Sequence, residues 1–197
     1  MLGPTTVAIH GVHLTDEDIE LLAQHEASVV HCPESQLKLA SGFTPVPKLL
    51  EAGVKVGLGT DGAASNNDLD MFGEMGTAAK VHKVIAGDPT AMPARQALSM
   101  ATLEAARVLG LEDRLGSLEV GKRGDLIVLD LDVPHMVPMY DITSHLVYAA
   151  HSGDVRTVVI DGQMVMRDRK LLTLDEGDIF TRAREMAREI VASWGSN

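Results

Sequence analysis

The sequence predicts an α/β protein with a parallel sheet, followed by a smaller β-rich part. Three observations carry this. Short apolar runs at 6–12 (TVAIHGV), 27–32 (ASVVHC) and 55–60 (KVGLGT) alternate with helical patterns, which is the sign of βαβ units. Polar residues close these runs. After residue 115 the character changes to turn glycines and an Asp-Gly hairpin signal, so we divide the chain into 1–115 and 116–197.

In chain order, Thr6–Val12 is rich in β-branched residues and reads as a buried strand. Thr15 opens a helix with Asp16, Glu17 and Asp18 in its first turn, where acidic groups suit the positive end of the helix dipole. Ile19, Leu21, Leu22 and His25 follow at helical spacing. Residues 27–32 form a second strand, ended by Pro33. Thr44, Pro45 and Pro47 open a short helix through Leu49, Leu50 and Ala52, and Gly53 stops it. The third strand, 55–60, delivers Asp61 at its tip. A Gly/Ala/Ser/Asn loop at 62–67 leads to helices near 68–86 and 94–109, the second with Ala97, Leu98, Ala101, Ala105, Val108 and Leu109 on one side. Beyond Gly116, a strand at 125–131 and a hairpin at 156–165 turning on Asp161-Gly162 precede a charged amphipathic helix at 178–194, read as a surface helix.

Composition narrows the possibilities. The 197 residues carry 17 Lys+Arg against 28 Asp+Glu, a net charge of −11, which argues against nucleic acid or an anionic membrane as partner. Hydrophobic residues at 45% with charged residues at 23% are ordinary for a globular chain. The one cysteine, Cys32, rules out an internal disulfide and fits a reducing, cytoplasmic location. The N-terminal stretch lacks the basic segment of a signal peptide and meets Asp16 too early for a membrane span.

Chemistry in parallel sheets gathers at the carboxyl ends of strands, because loops there vary on a rigid scaffold. His10, His31 and Asp61 stand at such ends. Imidazole and carboxylate suit a divalent metal such as zinc, and equally suit acid–base work. The plainer reading is also open: hydrogen-bonded histidines at strand ends, and Asp61-Gly62 as a turn. His10-x-x-His13 is no chelate on a strand, since residues three apart face opposite sides. Cys32 reads as an inert buried thiol, and the spacings among His135, His145 and His151 fit no metal motif.

Taken together, VAIHGVHL (7–14), HCPESQLKLASG (31–42), GVKVGLGTDGAASNNDLDMFGEM (53–75) and GSLEVGKRGDLIVLDLD (116–132) resemble the metal-dependent amidohydrolase superfamily. Within it they are most similar to the S-adenosylhomocysteine/5'-methylthioadenosine deaminases and related chlorohydrolase-type enzymes. The resemblance implies the C-terminal part of a TIM-like (β/α)8 barrel, strands six to eight with their helices, plus part of a small β-sandwich. It implies hydrolytic deamination of an adenosine-type nucleoside, with guanine, triazine or another amino- or chloro-heterocycle as the alternative substrate, and an inactive assembly module as the alternative role. His10 then matches the histidine ending the sixth strand, which contacts the attacking hydroxide. Asp61 matches the aspartate ending the eighth, which binds the metal (zinc, with iron or manganese as alternatives) and shuttles the proton. Ser65 and His31 match residues that contact substrate or lie near the pocket. The family's H-x-H pair, its fifth-strand histidine and its ring-protonating glutamate have no counterpart here. A complete barrel alone takes about 250 residues. The resemblance therefore implies half of an active site, completed by an N-terminal half or in a homo-oligomer, with a small-molecule substrate.

Overall fold

The computed structural model describes residues 2–194. Strands β1 (Val7–Ile9), β2 (Ser28–His31) and β3 (Lys55–Leu58) form a parallel sheet in the order β1-β2-β3. Ala8 lies beside Val29, and Val29 beside Val56. The predicted strands are longer than the observed ones because the ladder ends with the amides of His10, which turns left-handed, and of Gly59, from which the chain loops to Asp61.

Helix α1 (Asp16–Gln24) connects β1 to β2, and its start is fixed by a capping box. The Thr15 hydroxyl accepts from the Asp18 amide while the Asp18 carboxylate accepts from the Thr15 amide. Between β2 and β3 lie two short helices, α2 (Pro33–Lys38) and α3 (Val46–Glu51). Sequence reading treats Pro33 only as a strand stop. It is also the first residue of α2, where a missing N–H costs nothing and the fixed φ suits a helix.

After β3 come α4 (Met71–Ala86), α5 (Ala94–Ala101) and α6 (Leu103–Val108). The single helix expected over 94–109 is broken at Thr102, whose backbone at φ −129°, ψ −98° is not helical. Val29, Val56, Val46, Leu49, Ala78, Ala79, Ala97 and Met100 are fully buried and form the core around this sheet. Val147 of a further helix, α7 (Ile142–Tyr148), joins the same core.

The chain divides into two compact units, and it crosses between them more than once. One holds residues up to Arg123 together with Asp130–Asp154; the other holds Gly124–Leu129 and the chain from Val155 onward. A single boundary after residue 115 does not describe that return. The second unit is one antiparallel sheet in the order β4 (Leu126–Leu129), β5 (Val155–Ile160), β6 (Gln163–Arg167), β7 (Lys170–Leu171), with helix α8 (Glu176–Trp194). Asp161 and Gly162 form its two-residue turn with φ of 52° and 76°, the positive values that hairpin geometry requires. No residue of α8 is buried. No helix among the described residues is long and apolar enough to cross a membrane.

Candidate active site

His10 follows β1 directly and Asp61 lies three residues beyond the end of β3, and both adopt the left-handed backbone region, at φ 70° and 66°. His and Asp enter this region more readily than bulky residues, but it still costs about 1–3 kcal/mol and persists only where the surroundings enforce it. The His10 amide remains on the sheet ladder through the Val30 carbonyl at 2.9 Å. The His10 ring then faces Asp61, with Nε2 3.6 Å from Oδ2, and both side chains are about one-third exposed.

The Asp61 carboxylate is held on both oxygens. Oδ2 accepts from the Ser35 hydroxyl at 2.7 Å, and Oδ1 accepts from the Gly62 amide at 2.7 Å. The Ser35 hydroxyl first, then the neighbouring Ser65 side chain and the Gly62 amide, hold its pKa down to about 2. Asp61 is therefore ionised at neutral pH. Ser35 lies on α2 and is almost fully buried. Sequence reading missed it, although Pro33 at a helix start was the available signal.

Ser65 sits in the loop after Asp61, and its hydroxyl donates to the Gly62 carbonyl at 3.0 Å. Two flanking helices hold this loop. Lys38 at the end of α2 donates to the Ala64 carbonyl at 2.8 Å and to Asn67. Glu74 of α4 is fully buried; its Oε1 accepts from Asn66 Nδ2 at 2.7 Å and its Oε2 from the Glu34 amide at 3.2 Å. Burial, reinforced by the neighbouring Glu34, Asp68 and Asp61 carboxylates, pushes the Glu74 pKa up to about 7 against the pull of the Glu34 amide.

His31 does not lie open to the site. It is fully buried, with Nδ1 2.9 Å from the Thr44 hydroxyl and Nε2 3.2 Å from Nε2 of His82. Burial, then the charges of His82 and His10, pushes its pKa down to about 3, so it is neutral in the folded protein. Cys32 is buried, and burial followed by the Glu74 and Asp61 charges pushes its thiol up to about 12, as an inert cysteine requires.

His135, His151 and Asp154 come together where spacing gave no hint. His135 Nε2 is 3.1 and 3.0 Å from the two Asp154 oxygens, His151 Nε2 is 3.6 Å away, and the two rings stack at 4.7 Å. His151 Nδ1 accepts from the Gly153 amide at 3.1 Å, so in the neutral ring Nε2 carries the proton. That arrangement points N–H groups at a carboxylate and leaves no lone pair on His151 for a metal.

A structural zinc takes four protein donors and a catalytic one three. At the strand ends the described residues supply one ionised carboxylate and one imidazole, a chemically fitting but partial set. Asp61 is the residue that would hold a metal there.

The site is thus a carboxylate and an imidazole brought together just beyond the carboxyl ends of two strands of a parallel sheet, in a mixed α/β protein. The amidohydrolase family model matches residues 1–165, and the chain belongs to that family. It is 57% identical over 190 residues to a 5-methylthioadenosine/S-adenosylhomocysteine deaminase of Syntrophobacter fumaroxidans, covering 96% of this chain and 43% of that protein. It is 53% identical over 190 residues to a 5'-deoxyadenosine deaminase of Methanosarcina acetivorans, covering 96% and 44%. A zinc-bound crystal structure of an adenosine deaminase from Xanthomonas campestris superposes with a TM-score of 0.93 at 44% identity, over 97% of this chain and 44% of that one. The chain thus spans less than half the length of the relatives it matches.

Proposed function

We propose that this chain is the C-terminal part of a metal-dependent hydrolase of C–N bonds, releasing ammonia from an adenosine-type nucleoside such as S-adenosylhomocysteine or 5'-methylthioadenosine. In this reading β1, β2 and β3 are the sixth, seventh and eighth strands of a (β/α)8 barrel. The observation that carries it is the His10–Asp61 pair, 3.6 Å apart at the ends of β1 and β3. The deaminase names of the relatives support the reaction class, and the zinc of the Xanthomonas structure supports a divalent metal.

A metal, when bound, supplies positive charge that acidifies water and makes it a nucleophile at neutral pH. The rest falls to the protein. Asp61, ionised and fixed by Ser35 and Gly62, holds that charge and accepts a proton from the attacking water. A carbon–oxygen bond forms at the amine-bearing ring carbon, the carbon–nitrogen bond breaks, and Asp61 returns the proton so that ammonia leaves. His10 contacts the incoming oxygen through Nε2, the nitrogen that faces Asp61. Ser65, in the loop beyond Asp61, offers a hydroxyl to the substrate.

The test joins the N-terminal portion of the Syntrophobacter relative to this chain. With zinc added, the chimera should release ammonia from methylthioadenosine or S-adenosylhomocysteine. A folded, zinc-loaded chimera without activity on any adenosine-type thioether would overturn the proposal.

A further inference from the structure

His10 has no side-chain support at its inner nitrogen. Nδ1 is buried and has no hydrogen-bond partner among the described residues. Histidines that work at metal or acid–base sites are usually aimed by a hydrogen bond at the second ring nitrogen. Apart from the Asp61 carboxylate 3.6 Å from Nε2, the support for this ring is its backbone.

The backbone of His10 is fixed at both ends. Its amide donates to Val30, and its carbonyl accepts from the hydroxyl of Thr44, a fully buried residue on the loop before α3. Thr44 has one proton, and it is spent on that carbonyl. Its oxygen must then act only as an acceptor towards Nε2 of Gln36 at 2.8 Å and Nδ1 of His31 at 2.9 Å. This fixes the proton of neutral His31 on Nδ1 and leaves its Nε2 bare. His82 on α4, 3.2 Å away, must then donate through its own Nε2. Every proton in the series is assigned by counting donors, and His31, Thr44, Gln36 and His82 are all essentially buried.

We propose that His82, His31 and Thr44 form a proton-ordered hydrogen-bond chain whose last link fixes the His10 carbonyl, so that His31 and Thr44 are positioning residues for the His10 imidazole. The chain runs from α4, through β2, to the end of β1. It gives His31 a role through His10 instead of through substrate. That role rests on reading His10 as a working residue; the proton order does not.

Imidazole nitrogen–proton correlation spectra of the 15N-labelled chain at pH 7 test it. His31 should show the Nδ1–H tautomer and His82 the Nε2–H tautomer; the opposite tautomer at His31 would overturn the proposal even if every variant failed to fold. Thr44→Val should displace the His10 ring signals, and Thr44→Ser should restore them. A folded Thr44→Val chain with unmoved His10 signals, or a Thr44→Ser chain no better than Thr44→Val, would also overturn it. None of these readouts involves turnover, so failure here leaves the hydrolase reading standing, and a failed deamination assay leaves the proton order standing.

Discussion

His82→Gln replaces a titrating ring in the core with a side chain that keeps an N–H for His31 and takes up no proton. In the folded chain burial holds the pKa of His82 down to about 4, and burial with the neighbouring histidines holds His31 down to about 3. Unfolded, both return to about 6.5. A base whose pKa falls on folding is protonated only in the unfolded chain between those values, so its contribution is favourable at neutral pH and is lost as pH falls below about 6.5. At about 1.36 kcal/mol per pH unit, each histidine costs the fold roughly 2 kcal/mol between pH 7 and pH 5. Glu74 acts in the opposite sense. Its pKa is raised from 4.5 to about 7, so the fold gains stability as pH falls through that window and offsets part of the loss. The difference between variant and wild type cancels Glu74 and isolates one proton. Urea unfolding followed by circular dichroism at pH 7, 6 and 5 should show His82→Gln less stable at pH 7, by about 1–2 kcal/mol for the lost packing. By pH 5 the gap should have moved about 2 kcal/mol in favour of the variant. A gap constant with pH to about 0.5 kcal/mol would refute the argument, because His82 would then titrate alike in both states.

Three further outcomes are expected. Asp61→Asn in the active chimera should lower kcat by about 10²–10⁴-fold or more while leaving the circular dichroism spectrum unchanged. Ser35→Ala removes the leading cause of the depressed Asp61 pKa, which should rise from about 2 towards 3.8 in carboxylate 13C titrations; since a depressed carboxylate favours the fold above its unfolded pKa and loses that favour as pH falls, the variant's acid unfolding should begin at higher pH. Gly76→Ala would place a Cβ 2.9 Å from the Val147 carbonyl, where α4 passes close to α7, and should cost about 1–3 kcal/mol in urea unfolding.

The sequence made legible what depends on neighbours in the chain. The three parallel strands, the Thr15 helix start and the Asp161-Gly162 turn follow from short-range rules about β-branching, capping and positive φ, and each is found. His10 and Asp61 were legible because strand ends announce themselves. What stayed hidden depends on residues far apart. Ser35 reaches Asp61 across 26 positions, Glu74 reaches the Glu34 amide across 40, and His82 meets His31 across 51. No periodicity reports such pairings. The break at Thr102 was hidden for another reason: the apolar pattern continues through it, and only the backbone angles show two helices.

The two strand-end residues share a left-handed backbone and are held differently, and under the proposed function that difference suits them to different tasks. Asp61 is gripped at its functional atoms, with both carboxylate oxygens taking hydrogen bonds that favour the charged form. A group held so is suited to anchoring positive charge, and a proton it accepts leaves readily. His10 is gripped through its amide and carbonyl, while its ring has no partner at Nδ1 among the described residues and faces the Asp61 carboxylate through Nε2. The buried chain from His82 ends on the His10 carbonyl and not on its ring, so in the proposed arrangement it acts on the imidazole through the backbone.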